Sequence, residues 1–284
     1  MTANKTIGIV GSGQMGRGIA QVLAFAGFET IIYDIKSESL DFAFKFIENQ
    51  LFKGAEKNKW PIDQATSTLK RIKLVNSLTE LAHCSLVIEA ATENKSVKFD
   101  LFQKLDEICH EDTILASNTS SISITEIAKH TKRADKVCGM HFMNPVPVMK
   151  LVEAIRGLET SALTMSYVKE VVEALNKTYV ESKDIPGFIV NRILAPMLNE
   201  AIFALYEGIG TKEDIDNAMV LGTNQPMGPL KLADFIGLDT CLAILEVLYD
   251  GLGDPKYRPC PLLKQYVAAG RLGLKVKKGF YEYE

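Results

Sequence analysis

A glycine-rich turn that directly follows an apolar segment constrains the fold of this chain more than any other feature. The apolar segment spans residues 6–10, and the turn consists of Gly11, Ser12, Gly13, Gln14, Met15 and Gly16. A second apolar run, residues 30–33, leads into Asp34. A strand, a glycine turn, a helix, a strand and an acid occur in this order in a dinucleotide-binding unit. We therefore predict a Rossmann-type domain at this end of the chain.

Each glycine of the turn meets a separate physical requirement of dinucleotide binding. Gly11 permits a tight turn, Gly13 lacks the Cβ that would collide with a pyrophosphate, and Gly16 lets the helix lie close to the strand. The N–H groups at the start of the following helix favour phosphate charge. Asp34 can accept hydrogen bonds from both adenine-ribose hydroxyls, and its charge would repel a 2′-phosphate. We therefore predict NAD as the cofactor, with NADP less favoured.

Length and charge exclude several classes of function. A chain of 284 residues is long enough for two domains, each with its own core. The formal net charge of −3 gives no reason to expect binding to nucleic acid or to an anionic membrane. No apolar run approaches the roughly 20 residues that a membrane span needs. Only five residues precede the first predicted strand, and we therefore expect no signal or transit peptide.

The cysteines indicate a reducing environment. The chain contains five of them, widely spaced and without a Cys-x-x-Cys pair. This pattern favours reduced thiols over disulfides or metal ligands. We therefore expect a cytoplasmic protein without a metal site.

Strand-like and helix-like segments alternate over the first two thirds of the chain. Strands are predicted at residues 6–10, 30–33, 86–91, 113–116, 136–140, 148–153 and 178–181, and helices at residues 13–25, 39–59, 95–109 and 161–175. Repeated strand–helix units predict a doubly wound, mostly parallel sheet. The strand at 148–153 is expected to return antiparallel to the one before it.

A turn at residues 184–187 is the predicted domain boundary. It separates an NAD-binding domain, residues 1–185, from residues 186–284, where the strand signal disappears. Helical periodicity covers residues 188–206, 211–220 and 233–249. We expect this all-α domain to line the substrate cleft and to pair with a second copy of the chain, giving a homodimer.

One histidine lies where the chemistry of such a fold is expected. His141 ends an apolar strand and opens a loop at the carboxyl end of the sheet, where open α/β sheets bind ligands. If the chain reverses around Pro147, Glu153 becomes its cross-strand neighbour. A carboxylate bonded to one imidazole nitrogen fixes the tautomer and leaves the other nitrogen to act as a base. The alternatives are a structural histidine and a surface glutamate.

Five small polar residues, 117–121, follow another predicted strand. They favour either an N-cap for the next helix or a group of hydroxyls and amides that holds a substrate oxygen. Asn191 and Arg192 come just after the domain boundary.

With these residues in place, the chain resembles the short-chain L-3-hydroxyacyl-CoA dehydrogenase family, essentially from end to end. The resemblance is carried by the glycine turn and by residues 87–90, 116–121, 141–147, 186–192, 226–229 and 278–281. It implies reversible hydride transfer between NAD and C3 of a short-chain (S)-3-hydroxyacyl-CoA. His141 would be the general base and acid, paired with Glu153, while Ser120 and Asn191 would hold the reacting oxygen and the imidazole.

The resemblance also implies roles in binding. Around the nicotinamide and its ribose it implies Glu93, Lys98, Ser120, Asn144 and Lys275. Lys53 and Lys57 are candidates for the CoA phosphates, the alternative being a solvated basic helix face. Two other functions stay open: a related dehydrogenase of a sugar acid such as gulonate, and a nucleotide-binding protein without catalysis.

Overall fold

The computed structural model describes residues 5–284, and the chain divides into two compact units, Met1–Ile185 and Pro186–Glu284. Each unit is built around its own cluster of buried apolar side chains.

The first unit is an eight-stranded sheet covered by helices. Its strands are β1 Thr6–Val10, β2 Glu29–Tyr33, β3 Ile72–Val75, β4 Leu86–Glu89, β5 Ile114–Ser117, β6 Val137–Phe142, β7 Leu151–Arg156 and β8 Thr178–Lys183. Its helices are α1 Gln14–Phe25, α2 Ser37–Glu56, α3 Ile62–Lys70, α4 Lys95–Ile108, α5 Ile124–Ala128 and α6 Ala162–Ala174. The strand order is β3-β2-β1-β4-β5-β6-β7-β8, which is the predicted doubly wound arrangement.

All neighbouring strands of this sheet run parallel except β6 and β7, which are antiparallel. The central strands β4, β5 and β6 are buried along their whole length. Such strands read as continuous apolar runs because helices cover both faces of a parallel sheet. The carboxyl ends of β1, β4, β5 and β6 therefore meet at one edge, where the loops of interest lie.

Three elements of the first unit have no range in the sequence prediction: α3, β3 and the five-residue helix α5. The structure ends α2 at Glu56 and adds α3 and β3 after it. Helix α3 contains Thr66, Ser67 and Thr68, which favour helices weakly because their side chains compete for backbone hydrogen bonds. Strand β3 is a short edge strand that pairs on one side only. Its four residues give too little periodicity to be recognised.

The second unit is helical, as expected. It contains α7 Val190–Tyr206, α8 Lys212–Thr223, α9 Pro229–Ile236, α10 Leu238–Leu252 and α11 Pro261–Ala268. The prediction of one helix over residues 233–249 is wrong, because Gly237 separates α9 from α10 with a φ of +103°. That backbone conformation is open to glycine and closed to most other residues.

No helix within residues 5–284 has the length and the apolar character that spanning a bilayer requires.

Candidate active site

The glycine turn joins β1 to α1 in a conformation that requires glycine at positions 11 and 16. Gly11 has a φ of +99°, and a Cβ on Gly16 would lie 1.8 Å from the carbonyl oxygen of Gly11. A Cβ on Gly13, in contrast, would point into open space. Gly13 is also the N-cap of α1 and gives the helix no side-chain cap. The uncapped helix start beside an open space fits the phosphate groups of a dinucleotide.

Asp34 follows β2 and is bonded to the glycine turn. Its Oδ2 accepts hydrogen bonds from the backbone N of Ser12 at 2.9 Å and from the Ser12 hydroxyl at 2.8 Å, and its Oδ1 accepts from the backbone N of Lys36 at 3.1 Å. Partial burial opposes ionisation, but the hydrogen bonds from Ser12 and Lys36 outweigh it and hold the pKa of Asp34 below its usual value. Asp34 is therefore a carboxylate at neutral pH.

A cavity of about 720 Å³ opens above this edge of the sheet. Its polar wall includes Gly11, Ser12, Gly13 and Asp34. Its apolar wall includes Ile35, Leu78, Val97 and Leu101. This cavity offers backbone N–H groups to phosphate, a carboxylate to ribose hydroxyls and an apolar wall to a base. That is the composition that a nucleotide site needs.

Two further residues predicted to bind the cofactor contact each other. The side-chain amide of Gln14, in the glycine turn, donates to Asn144 Oδ1 at 3.0 Å. Met15 is partly buried and packs against the core of this unit.

The predicted pair of His141 and Glu153 is confirmed as a structural feature. The two residues are directly opposite in the antiparallel register of β6 and β7. His141 Nδ1 lies 2.8 Å from Glu153 Oε2, where Glu153 is 0% exposed and His141 is 8% exposed. The reversal of the chain between β6 and β7 brings them together. A buried carboxylate against Nδ1 fixes the tautomer in which this nitrogen carries the proton.

The polar residues after β5 hold the loop in place and do not cap the next helix. Helix α5 is capped by Ser123, whose hydroxyl accepts from the backbone N of Glu126. Asn118 Oδ1 instead accepts from the backbone N of Phe142 at 2.9 Å, which ties the end of β5 to the residue after His141. The helix-cap alternative for residues 117–121 is therefore wrong.

Ser120 is bonded to Glu93 from the loop after β4. Glu93 Oε1 accepts from the backbone N of Ser120 at 2.9 Å and from its hydroxyl at 3.3 Å. Glu93 Oε2 accepts from the hydroxyl of Thr119 at 2.7 Å. Two residues predicted at the nicotinamide end are thus neighbours at one edge of the sheet.

Lys98 is more buried than its predicted role suggests. The residue is 1% exposed, and its ammonium forms an ion pair with Glu89 and donates to the Ser117 hydroxyl at 3.3 Å. Glu89 lies in the segment 87–90 that carries the resemblance, but the sequence analysis gave it no role. The sequence did contain a sign of its importance, because Glu89 is the single carboxylate within the apolar run 86–91. A charge buried in such a strand requires a partner of opposite charge.

Lys53 and Lys57 line a second cavity of the first unit, of about 690 Å³. Lys59, Lys150 and Lys177 also line it, and none of its lining residues in the described chain is acidic. Lys177 donates to the carbonyl oxygens of Val146 and Met149, and burial lowers its pKa from the ordinary value. Lys150 and Lys177 were missed because they come from distant segments of the sequence, whereas Lys59, two residues after Lys57, was not singled out.

The remaining predicted residues belong to the second unit. Asn191 lies in the first turn of α7 and is half-buried. Lys275 forms an ion pair with Asp239. Their roles stay predictions.

The cysteines and the acidic residues offer no metal centre in the described chain. The five cysteines are free and buried. Within residues 5–284, no group of three or more His, Cys, Asp or Glu side chains is arranged to hold a metal ion.

Comparison with known proteins identifies both units. Residues 6–185 match the sequence model for the 3-hydroxyacyl-CoA dehydrogenase, NAD binding domain, and residues 187–283 match that for the 3-hydroxyacyl-CoA dehydrogenase, C-terminal domain.

Individual relatives match over nearly the whole chain. A probable 3-hydroxybutyryl-CoA dehydrogenase of Bacillus subtilis is 55% identical, covering 99% of this chain and 98% of the relative. The mitochondrial hydroxyacyl-coenzyme A dehydrogenase of Homo sapiens is 43% identical, covering 99% and 91%. The crystal structure of (S)-3-hydroxybutyryl-CoA dehydrogenase PaaH1 from Ralstonia eutropha superposes with a TM-score of 0.97 at 48% identity, covering 99% of both chains. The chain therefore belongs to the 3-hydroxyacyl-CoA dehydrogenase family, and its first unit is the NAD-binding domain of that family.

Proposed function

We propose that this protein catalyses the reversible, NAD-dependent oxidation of (S)-3-hydroxybutyryl-CoA to acetoacetyl-CoA. The observation that carries the proposal is the buried pair of His141 and Glu153 in the unit that also holds the dinucleotide cavity. Relatives at 48–55% identity that bear the name 3-hydroxybutyryl-CoA dehydrogenase support the choice of substrate.

His141 moves the proton. During oxidation the C3 hydroxyl loses its proton to Nε2 of His141, while the C3–H bond breaks and the C=O bond forms. Bound NAD supplies the acceptor for the hydride that leaves C3. Nδ1 keeps its hydrogen bond to Glu153, whose negative charge stabilises the imidazolium. In the direction of reduction, His141 returns the proton to the oxygen.

Ser120 and Asn191 are proposed to hold the reacting oxygen and the imidazole in register. Each offers a neutral hydrogen-bond donor, the hydroxyl of Ser120 and the side-chain amide of Asn191. Such donors stabilise the transition state most when negative charge develops on the oxygen.

The glycine turn and its neighbours are proposed to bind NAD. The N–H groups at the start of α1 would face the pyrophosphate, and Asp34 would accept hydrogen bonds from the adenine ribose. At the nicotinamide end we propose Glu93, Lys98, Ser120, Asn144 and Lys275. The carboxylate of Asp34 supports the preference for NAD over NADP, because a 2′-phosphate would meet a like charge.

The lysine-lined cavity is proposed to receive the phosphates of CoA. Five lysines converge there from α2, from the segment before α3, from the β6–β7 loop and from the segment after α6. A solvated helix face would explain Lys53 and Lys57 alone, whereas it does not explain lysines from several segments around one cavity. The phosphate groups of CoA give such a cavity a ligand of opposite charge.

A homodimer in the cytoplasm is proposed as the working form. The helical unit exposes the large apolar side chains of Ile193, Ile209, Leu221 and Phe235. Apolar side chains in such numbers favour burial against a second copy. The free cysteines support a reducing compartment.

Turnover with defined substrates tests the proposed function. The purified protein is mixed with acetoacetyl-CoA and NADH, and the loss of NADH absorbance is followed. Rapid turnover is expected, with a much lower rate when NADPH replaces NADH. A protein that binds NADH and yet shows no turnover with this substrate would contradict the proposal. Oxidation of gulonate in a parallel assay would favour the sugar-acid alternative.

A further inference from the structure

Glu89 is a buried carboxylate at the centre of the dinucleotide-binding unit. It is the last residue of β4, a strand that is otherwise apolar, and it is 0% exposed. Burial of a carboxylate is unfavourable unless hydrogen bonds and an opposite charge compensate for it. The proton transfer proposed above makes no use of Glu89, so its presence calls for another explanation.

Both carboxylate oxygens of Glu89 are fully engaged. Oε2 accepts from the Lys98 ammonium on α4 and from the Ser117 hydroxyl on β5, the latter at 2.8 Å. Oε1 accepts from the backbone N of Ala91 at 2.9 Å and of Thr92 at 3.4 Å. A single side chain therefore joins α4, β5 and the loop after β4.

That loop forms part of the dinucleotide cavity. Ala91 and Thr92 line the cavity. The loop also lies against the glycine turn, because a Cβ on Gly11 would come within 2.8 Å of both the Ala90 carbonyl oxygen and Ala91 Cα. Any displacement of the loop would therefore change the space beside the glycine turn.

We propose that Glu89 is a positioning residue for NAD. It acts through its neighbours, by holding the backbone of Ala91 and Thr92 and the ammonium of Lys98 where the cofactor requires them. The proposal rests on the cofactor site proposed above and adds a residue that does not itself line that cavity. Preorganisation of this kind favours binding, because the loop does not have to be ordered when the cofactor arrives.

The variant Glu89→Gln tests the proposal. The glutamine amide keeps one acceptor oxygen, but its NH₂ group replaces the other oxygen. That NH₂ group then faces hydrogen-bond donors and cannot accept from them. We expect the dissociation constant of NADH, measured by fluorescence titration, to rise about tenfold, as for the loss of one hydrogen bond to a charged group. The value of kcat at saturating NADH and acetoacetyl-CoA should change less than the dissociation constant.

Asp106→Asn is the matched control. Asp106 and Arg133 form another largely buried ion pair of the same unit, at 2.6 Å, and neither residue lines the dinucleotide cavity. This variant should lower the melting temperature and leave NADH binding unchanged. An unchanged dissociation constant in Glu89→Gln, or an equal rise in both variants, would overturn the proposal.

If Glu89→Gln does not fold, two less disruptive substitutions test the role of Glu89 in NADH binding. Ser117→Ala removes one donor to Glu89, and Ser182→Ala removes a mostly buried hydroxyl that bonds to the carbonyl oxygen of Lys183. Only Ser117→Ala should weaken NADH binding, by about threefold for a neutral hydrogen bond. Equal binding in both would refute the role of Glu89. A wild-type protein that does not bind NADH would overturn the cofactor site itself, which distinguishes the two failures.

Discussion

At the scale of single residues, the pairing of His141 with a fully buried carboxylate is what separates this histidine from the others. Glu153 has no solvent around it to screen its charge, so that its interaction with the imidazole is stronger than in a surface pair. His110, in contrast, is an exposed histidine after α4 whose Nδ1 accepts from the backbone N of Asp112. The two residues therefore provide a variant and its control.

His141→Gln should fold, bind NADH and lose most of its activity. Glutamine is uncharged at any accessible pH and does not take up a proton, so general-base catalysis is lost. The expected fall in kcat is about 10²- to 10⁴-fold. Steady-state kinetics with acetoacetyl-CoA and a separate NADH titration measure the two properties.

His110→Gln should keep full activity. If His141→Gln retains a wild-type kcat, another group moves the proton, and the proposed role of the pair is wrong.

The pairing of His141 with Glu153 was predictable from sequence, whereas the side-chain partners of Glu89 were not. His141 and Glu153 are separated by 12 positions and by one chain reversal. The proline-rich sequence around Pro147 indicates this reversal. The partners of Glu89 are Lys98 on a helix and Ser117 on a strand 28 positions away. Which side chains meet a buried carboxylate depends on how helices pack on the sheet, and this packing leaves little trace in one-dimensional periodicity.

At the scale of elements, α2 divides its lysines between two environments. Lys53 in α2 and Lys57, which directly follows it, line the lysine-lined cavity, while Lys45 in the same helix does not. All three have the same charge and similar helix propensity. The helix therefore carries its own control for an electrostatic effect.

Reversal of charge at Lys53 and Lys57 should weaken substrate binding selectively. The variant Lys53→Glu/Lys57→Glu places carboxylates where CoA phosphates are proposed to bind. We expect the KM for acetoacetyl-CoA to rise by about tenfold or more, with NADH binding unchanged. Lys45→Glu should leave both values unchanged. If the double variant keeps the wild-type KM, the CoA phosphates bind elsewhere.

Gly237 explains the most informative error in the predicted elements. Helical periodicity continues through residues 233–249, and it contains no proline to mark an interruption. The interruption depends on the φ of one glycine, which sequence periodicity does not report. Periodicity therefore predicted that this segment is helical and failed to predict where it is divided.

Substitution of this glycine should be costly. Gly237→Ala is expected to destabilise the protein by about 1–3 kcal/mol, since a φ of +103° with a ψ of +126° is essentially restricted to glycine. Gly222→Ala is the matched control, because Gly222 lies within α8 and a Cβ there would meet no atom within 4 Å. That change should be neutral or stabilising by up to about 1 kcal/mol. Urea denaturation of both variants measures the difference, and an equal effect on stability would contradict the backbone argument.

At the scale of the whole molecule, the chain consists of two units with separate cores. The first core is formed by the sheet and its helices, and includes Ile9, Ile88 and Met140. The second is formed by the helices of the other unit, and includes Ile202, Leu230 and Leu263. Each core consists of residues from one side of the boundary between Ile185 and Pro186. Separate cores of this size allow each unit to fold by itself.

The first unit alone should therefore bind NADH. The residues that line the dinucleotide cavity, and the Glu89 contacts that support it, all lie within residues 1–185. A fragment of residues 1–185 is expected to melt cooperatively and to bind NADH with a dissociation constant within about tenfold of that of the full chain, the difference arising from the missing Lys275. It should have little or no dehydrogenase activity, because it lacks Asn191 and Lys275. A fragment that folds but binds NADH far more weakly than the full chain would show that residues 186–284 contribute directly to cofactor affinity. Lys275→Ala in the full-length protein would then be expected to reproduce part of that loss.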